Sequence, residues 1–295
     1  MRVFVTGATG FIGAGVVREL IDAGHQVVGL ARSEQAAASL KAVGAEAHRG
    51  SLDDLDSLYD GVAATEGVIH TAFTNVSATT DYASSCRADV RAIRAMGEAL
   101  TGSDRPFVIT SVTSLFASGL VGTEDAPVST AHPRAASDEA ARSLAECGVR
   151  ACVVRLPASV HGICDKGFVP ELIAIARSTG VSAHVGANRW PAVHRLDAAC
   201  LFRLALEQGQ AGARLHAVAE EGVPLRDIAE VIGRRLNLPV TAISPAEADA
   251  HFGWLARFVS HDQMASSALT RKELDWLPTQ PTLIADLDAG HYFAP

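Results

Sequence analysis

The sequence predicts an α/β fold in which a doubly wound, mainly parallel sheet carries a smaller C-terminal lobe. Short apolar runs alternate with amphipathic stretches through the first half of the chain, a pattern typical of successive strand–helix–strand units. A glycine-rich turn joins the first apolar run to the first amphipathic stretch. Beyond about Gly162 the alternation loosens. We therefore expect residues 1–162 to form the sheet domain and residues 163–295 to form most of the lobe, interleaved with it in a single compact unit.

The predicted strands are short runs, most of them apolar, bounded by turn residues. The six strands cover residues 2–6, 26–31, 45–49, 67–71, 106–111 and 150–156. Helices are predicted between them over residues 11–23, 34–43, from 53 onward, 83–100 and 135–147. The second half holds helical segments near residues 170–178, 197–207, 225–236 and 245–252. Because open α/β sheets bind ligands at the carboxyl ends of their strands, we expect the lobe to lie over that edge.

The composition is that of an ordinary globular protein. Of its 295 residues, 48% are apolar and 20% are charged, and the net charge is −8, which gives no support to nucleic-acid binding. No apolar run approaches the ~20 residues of a membrane span, and the N-terminus lacks a signal-peptide pattern. The five cysteines include no CxxC pair. We therefore expect a cytoplasmic protein with reduced thiols and with neither nucleic-acid nor membrane partners.

The turn after the first strand has the spacing of a dinucleotide-binding motif. It reads TGATGFIG over residues 6–13. Gly7 permits the tight turn, Gly10 lets the backbone approach a pyrophosphate, and Gly13 allows the helix to pack against the strand. The helix N-terminus then offers N–H groups and a positive dipole end to the phosphates. This pattern predicts a Rossmann-type fold, with further cofactor contacts from Thr9, Phe11 and Ile12.

The end of the second strand predicts the form of the dinucleotide. An NAD site normally carries an acidic residue there for the ribose 2′-hydroxyl, whereas this strand ends in GLARS, residues 29–33. Arg32 could form a charge-assisted bidentate bond with a 2′-phosphate. We therefore predict NADP(H) rather than NAD as the cofactor, with a solvated arginine in a surface turn as the alternative.

These segments resemble the extended and atypical short-chain dehydrogenase/reductases, the group that contains nucleotide-sugar epimerases, dehydratases and dihydroflavonol-type reductases. The resemblance covers roughly residues 2–162 and includes TGATGFIG, GSLDD, VIHTAF, FVITSVTS and VVRLPASVHG. The later segment PAVHRLDAACLFRLALE is similar to a helix entrance of the same group. The resemblance implies that the adenine is flanked by Ser51 and Leu52, the nicotinamide ribose by Thr71, Ala72 and Phe73, and the nicotinamide by Pro157 and Val160.

The catalytic residues of that family are only partly matched. The family uses Ser or Thr with a YxxxK pair, and no YxxxK occurs in this sequence. Aligned back from the sixth strand, Arg134 stands at the tyrosine position and Asp138 at the lysine position. Because arginine does not deprotonate in proteins, we predict that Arg134 clamps a substrate carboxylate or oxyanion, with an i,i+4 ion pair to Asp138 as the alternative. Val112 stands at the usual serine position, which leaves Ser111 and Thr113 as candidate hydroxyls.

Histidine is the natural replacement for tyrosine in proton transfer, because its unperturbed pKa lies near 6.5. We predict His161 as a catalytic residue, and His132 is a further candidate just before Arg134. The predicted substrate-binding residues are Phe168, His184, Trp190 and His194, with ordinary structural packing as the alternative for each. No HxxxH or HExxH spacing is present, so no metal site is predicted.

The sequence therefore predicts an NADP(H)-dependent oxidoreductase with an altered catalytic set, acting on a small carbonyl, hydroxyl or sugar-like substrate. Two alternatives stay open: a nucleotide-sugar-type epimerase or isomerase that retains its cofactor, and a non-catalytic NADP(H)-binding sensor. The resemblance also implies a homodimer, packed through sheet-face helices such as the alanine-rich segment 87–100.

Overall fold

The computed structural model describes residues 1–74 and 81–294. Within them the strands are β1 (Arg2–Thr6), β2 (Gln26–Ala31), β3 (Glu46–Arg49), β4 (Gly67–His70), β5 (Phe107–Val112), β6 (Val121–Gly122), β7 (Ala151–Leu156), β8 (Ser159–His161), β9 (Ser182–Val185), β10 (Arg189–His194), β11 (Arg214–His216), β12 (Glu220–Pro224), β13 (Val240–Ile243) and β14 (Met264–Ala265).

The helices of the same residues lie between these strands. They are α1 (Phe11–Asp22), α2 (Glu34–Ala42), α3 (Leu55–Ala63), α4 (Tyr82–Leu100), α5 (Ala135–Glu146), α6 (Phe168–Thr179), α7 (Arg195–Gln208), α8 (Leu225–Leu236), α9 (Pro245–Phe252), α10 (Ala256–Val259), α11 (Ala268–Leu274) and α12 (Leu283–Asp288). In the described part of the chain, no helix is both long enough and apolar enough to span a membrane.

The large sheet is wholly parallel in the described residues and runs in the order β11-β7-β5-β4-β1-β2-β3. From β1 the chain adds β2 and β3 on one side, and from β4 it adds β5, β7 and β11 on the other. The carboxyl ends of β1 and β4 therefore form the crevice in which such sheets bind ligands. The predicted α/β fold with a doubly wound parallel sheet is confirmed.

Side chains of β1 alternate between two apolar cores because successive strand residues point to opposite faces. Val3 and Val5 pack in the core that also holds residues of α1, α2 and α7. Phe4 packs in the core shared with α3, α4 and α5. Helices therefore cover both faces of the sheet.

A third apolar core belongs to the C-terminal half. It joins residues of α6, α8, α9 and α12 around the fully buried Trp190. Three small sheets frame it, in the orders β12-β10-β8, β13-β9 and β14-β6. Helix α7 and strand β11, which also follow Gly162 in the chain, return to the large sheet instead.

Candidate functional site

The glycine turn after β1 leaves its backbone open towards the crevice. Gly7 has a φ of +70° and accepts a hydrogen bond from the Gly10 N–H at 2.8 Å. A Cβ on Gly7 would lie 2.7 Å from the Ala72 nitrogen, and a Cβ on Gly13 would overlap the Gly7 carbonyl. Glycine is therefore required at both positions by close approach of backbone to backbone.

Helix α1 begins without a side-chain cap. Its N-cap Gly10 has no side chain, and its first turn contains no acidic residue. By contrast, the side chain of Ser33 caps α2 and that of Asp54 caps α3. The first N–H groups of α1, at the predicted residues Phe11, Ile12 and Gly13, are thus open to an anion.

A cleft of about 670 Å³ runs along the carboxyl ends of β1, β2 and β4. The predicted cofactor residues that line it are Gly7, Thr9, Gly10, Arg32, Ser51, Leu52, Thr71, Ala72 and Phe73. Its lining also includes Asp53, Asp89 and Lys166, which the sequence did not single out. We call it the cofactor cleft. Val160 lies outside this lining and packs against the core under α7.

Arg32 stands in the cofactor cleft as an unpaired cation. Its side chain is exposed, and within residues 1–74 and 81–294 no hydrogen bond or ion pair holds its guanidinium. The neighbouring Glu34 pairs with Arg49 at 3.0 Å, and the Ser33 hydroxyl caps α2. Arg32 is therefore available to an anionic group bound at this end of the cleft.

Arg134 is held by a buried network rather than free to bind a ligand. Its guanidinium donates to Asp89 Oδ2 at 2.7 Å and to the Thr110 carbonyl at 2.7 Å, and it stacks on the Phe73 ring at 4.2 Å. The side chains of Arg134 and Asp89 are only 4% and 2% exposed. Asp89 also accepts from the Ser137 hydroxyl at 2.6 Å.

The same network continues to the glycine turn. His70 hydrogen-bonds Asp89 Oδ1 at 3.1 Å through Nε2 and Thr6 Oγ1 at 2.6 Å through Nδ1. Burial raises the pKa of Asp89, but Arg134 and the hydrogen bond from His70 outweigh burial and hold that pKa below its usual value. Asp89 is therefore ionised and neutralises Arg134.

The alternative pairing of Arg134 with Asp138 is wrong. Instead, Arg155 of β7 donates from its Nε to Asp138 Oδ2 at 2.9 Å. The Arg155 guanidinium also contacts the His216 ring at 3.2 Å and lies fully buried. Although Asp138 follows Arg134 by four residues, Arg134 precedes the first residue of α5, so its side chain turns towards α4.

The candidate hydroxyls are those of Ser111, in β5, and Thr113, which follows β5. Ser111 and Thr113 are buried with no hydrogen-bond partner among the described residues, and they line neither the cofactor cleft nor the smaller cavity beside Pro157. Ser111 points to the face of the sheet opposite to that of its neighbour Val112, whereas Thr113 begins the 3₁₀ turn of residues 113–115 that follows β5. Ser114 is partly exposed, as Val112 is, and lies on the cavity side.

A second cavity, of about 100 Å³, lies beside Pro157, a residue that the resemblance assigns to the nicotinamide. We call it the inner cavity, and its lining is Tyr82, Val112, Ser114, Leu156, Pro157, Ala158, Phe168, Phe258 and Gln263. The Phe73 ring of the cofactor cleft meets the Tyr82 ring edge-on, with centroids 5.9 Å apart. Of the predicted residues, Pro157 and Phe168 line it.

The polar groups of the inner cavity come from Ser114, Tyr82 and Gln263, with His132 behind them. Ser114 Oγ lies 3.4 Å from His132 Nε2, while His132 Nδ1 accepts the Arg134 backbone N–H at 3.2 Å. Burial, and then the charge of Arg134, lower the pKa of His132. Burial raises the pKa of Tyr82 to about 12. At neutral pH the Tyr82 phenol in the cavity wall and the His132 imidazole behind it are therefore both uncharged.

The other predicted site residues have structural partners. His161 is fully buried, bonds Asp286 Oδ2 at 2.8 Å and contacts the His194 ring. His194 caps α7 by accepting the Leu196 N–H at 3.3 Å. These two histidines line neither the cofactor cleft nor the inner cavity.

The same holds for His184 and Trp190. His184 bonds the Gly186 carbonyl at 3.0 Å and lies between α6 and α8. The Trp190 indole donates to the Phe258 carbonyl at 3.1 Å, and its ring packs behind Phe168. The structure thus places both away from the cleft and cavity.

Comparison with known proteins identifies the family. The model of the NAD dependent epimerase/dehydratase family matches residues 3–218. An uncharacterized protein of Schizosaccharomyces pombe is 51% identical over 297 residues, covering 99% of this chain and all of that protein. The 2′-dehydrokanamycin reductase of Streptomyces kanamyceticus is 30% identical over 264 residues, covering 84% of this chain and 70% of that protein. This chain belongs to the NAD-dependent epimerase/dehydratase family.

A solved structure agrees with this fold. The dTDP-glucose 4,6-dehydratase DesIV of Streptomyces venezuelae, crystallised with NAD, superposes with a TM-score of 0.79 at 20% identity, covering 99% of this chain and 96% of that one. The family binds nicotinamide dinucleotides. The residues of this chain fit such a group, because Gly7, Thr9 and Gly10 of the glycine turn line the cleft and the start of α1 is uncapped.

Proposed function

We propose that this protein is an NADP(H)-dependent oxidoreductase that interconverts a small carbonyl compound and the corresponding alcohol. The observation that supports it most strongly is the unpaired Arg32 guanidinium at the adenosine end of the cofactor cleft. A 2′-phosphate there would form charge-assisted hydrogen bonds with the guanidinium fork, whereas the 2′-hydroxyl of NAD would leave the cation without a partner. We therefore expect Arg32 to favour binding of NADP(H) over binding of NAD(H).

The inner cavity would hold the reacting part of the substrate. When bound, the reduced nicotinamide supplies a hydride to the carbonyl carbon. The Ser114 hydroxyl donates a hydrogen bond to the carbonyl oxygen, and a solvent molecule supplies the proton that converts the resulting alkoxide into the alcohol. Because His132 Nδ1 accepts the Arg134 backbone N–H, its Nε2 carries a proton and donates it to Ser114 Oγ. The serine proton is thereby directed into the cavity.

The role of Arg134 in this proposal is positional. Its charge is neutralised by Asp89, and its guanidinium supports Phe73 at the junction of the cleft and the cavity. Arg134 therefore shapes the site for the nicotinamide instead of clamping the substrate.

The size of the inner cavity supports a small substrate. Its volume is about 100 Å³, and most of its wall is apolar, from Leu156, Pro157, Phe168 and Phe258. Such a cavity suits a compact carbonyl group with an apolar substituent better than a nucleotide sugar. The name of the 30%-identical relative, a reductase, supports the reductive direction.

Steady-state kinetics with small aldehydes and ketones test the proposal, following consumption of NADPH and NADH. We expect Ser114→Ala to lower kcat by about 100–1,000-fold, the range for losing one hydrogen-bond donor to the developing oxyanion. Ser111→Ala is the matched control, since it removes a nearby hydroxyl that is buried in β5 and lines neither the cleft nor the cavity, and it should keep the wild-type rate.

Cofactor affinity tests the other half of the proposal. Calorimetry should show tighter binding of NADPH than of NADH, and Arg32→Ala should remove most of that preference. Tighter binding of NADH to the wild type would refute the NADP(H) assignment. Tight NADPH binding with no turnover of any carbonyl compound would instead identify a binding module.

A further inference from the structure

The loop between β8 and α6 brings a second cation into the cofactor cleft. This segment, residues 162–167, reads GICDKG, and we call it the capping loop. Lys166 lines the cleft together with Gly7, Gly10 and Phe73. Its side chain is exposed, and no ion pair or side-chain hydrogen bond holds it in the described part of the chain.

The carboxylates of the cofactor cleft do not compensate this charge, because each has an arginine partner of its own. Asp53 lies 3.8 Å from Arg91, and Asp89 is bonded to Arg134 at 2.7 Å. Among the described residues of the lining, the unpaired charges are therefore those of Arg32 and Lys166, both positive. A cleft with this charge balance favours a ligand that carries negative charge at more than one point.

Contacts to the glycine turn place the capping loop beside the start of α1. Arg195 Nη1 donates to the Ile163 carbonyl at 3.2 Å, and its guanidinium lies 5.2 Å from the centre of the Phe11 ring. Phe11 is the first residue of α1, whose first N–H groups have no side-chain cap. The Arg195 side chain thus links the loop that carries Lys166 to the phosphate-binding end of the helix.

The C-terminal segment fixes the conformation of the same loop. The Tyr292 hydroxyl accepts the Gly162 N–H at 3.1 Å and donates to Asp165 Oδ2 at 3.0 Å. Asp165 Oδ1 accepts the Gly167 N–H at 2.6 Å. Cys164, with a φ of 67°, adopts a left-handed conformation that non-glycine residues adopt only when their surroundings hold it. Hydrogen bonds therefore hold the loop that carries Lys166 in one conformation.

We infer that Lys166 binds the pyrophosphate of the dinucleotide, opposite the N–H groups of α1, and so completes the phosphate site from the C-terminal lobe. The inference rests on the proposed function, since it needs a dinucleotide in the cofactor cleft. Two cations then bind different parts of the dinucleotide. Arg32 selects the 2′-phosphate, and Lys166 adds the same binding free energy for every ligand that contains the pyrophosphate.

Titration calorimetry of the full chain with NADPH, NADH and ADP-ribose tests the assignment. Lys166→Met keeps much of the aliphatic stem and removes the charge, and we expect it to weaken all three ligands about tenfold, or about 1.4 kcal/mol. The ratio of the NADH and NADPH dissociation constants should stay at its wild-type value. Lys166→Arg should bind nearly as the wild type does.

Lys272→Met is the matched control, because it removes an exposed lysine of α11 and changes the net charge equally. It should leave all three affinities unchanged. Added salt should weaken ADP-ribose binding less steeply in Lys166→Met than in the wild type, since one screened contact is gone.

Two results would overturn the assignment while the proposed function stands. One is wild-type affinity of Lys166→Met for ADP-ribose; the other is a loss confined to NADPH, which would assign Lys166 to the 2′-phosphate. If the wild type binds none of the three ligands, the proposed function itself is refuted, and the assignment with it.

Discussion

The buried pair of Asp89 and Arg134 makes a strong prediction about stability. Asp89→Ala would leave the Arg134 guanidinium, 4% exposed, without a counter-charge. Removing one partner of a buried ion pair costs about 3–5 kcal/mol, because the remaining charge stays desolvated and unpaired. The variant would also lose the acceptor of the Ser137 hydroxyl and of the His70 ring.

This loss can be converted into a melting temperature. At about 2.1 cal/mol/K per residue, a chain of 295 residues has an unfolding entropy of about 0.6 kcal/mol/K. A destabilisation of 3–5 kcal/mol then lowers the Tm by about 5–8 °C, which differential scanning calorimetry measures directly. Asp22→Ala is the control: it breaks the exposed pair with Arg18 and should shift the Tm by less than about 1 °C.

A double-mutant cycle separates the unpaired charge from the lost volume. Adding Arg134→Met to Asp89→Ala removes the uncompensated cation, so the double variant should be more stable than Asp89→Ala alone. If the two substitutions instead add their separate losses, the two side chains are not energetically coupled, and an uncompensated Arg134 charge is refuted as the cause of the instability.

Two further predictions concern the glycine turn and the capping loop. Gly13→Ala should abolish dinucleotide binding and lower the Tm, since its Cβ would overlap the Gly7 carbonyl; unchanged calorimetric titrations would contradict the close packing. Burial raises the pKa of Asp165 to about 6, above the roughly 3.9 of an unfolded aspartate. Its contribution to stability is therefore full below about pH 4 and is lost as the pH rises through about 6. Asp165→Asn should flatten the stability profile in that window, whereas Asp104→Asn, in an exposed loop, should leave the wild-type slope.

The large sheet could be predicted because its signals are local. Five of its first six strands along the chain are mainly apolar runs of four to six residues, the exception being β3, which reads EAHR, and the glycine turn marks the first crossover. Strand β11 escaped prediction because its three residues, RLH, carry no alternation. The small sheets escaped it for another reason: β13 pairs with β9 and β14 with β6, and no periodicity in one segment reveals a distant partner.

The candidate site divides in the same way. The glycine turn and Arg32 are local patterns, and the structure places them in one cleft. The partner of Arg134 was out of reach because Asp89 lies 45 residues earlier in the chain. Ser114 was not predicted, because it follows β5 in a 3₁₀ turn of residues 113–115, where the period of two that separates Ser111 from Val112 no longer applies.

The position of Arg134, which the sequence comparison predicts for the family tyrosine, is best understood through its neighbours. A substrate clamp needs unsatisfied donors and access to the ligand, and Arg134 has little of either, since Asp89 and the Thr110 carbonyl hold two of its nitrogens. A cation buried there requires a carboxylate, and α4 supplies it. Across the junction, Ser114 lines the inner cavity and His132 lies behind it. The proposed hydrogen bonding to substrate therefore involves the turn after β5 and the segment before α5, while Arg134 at the start of α5 supports the fold.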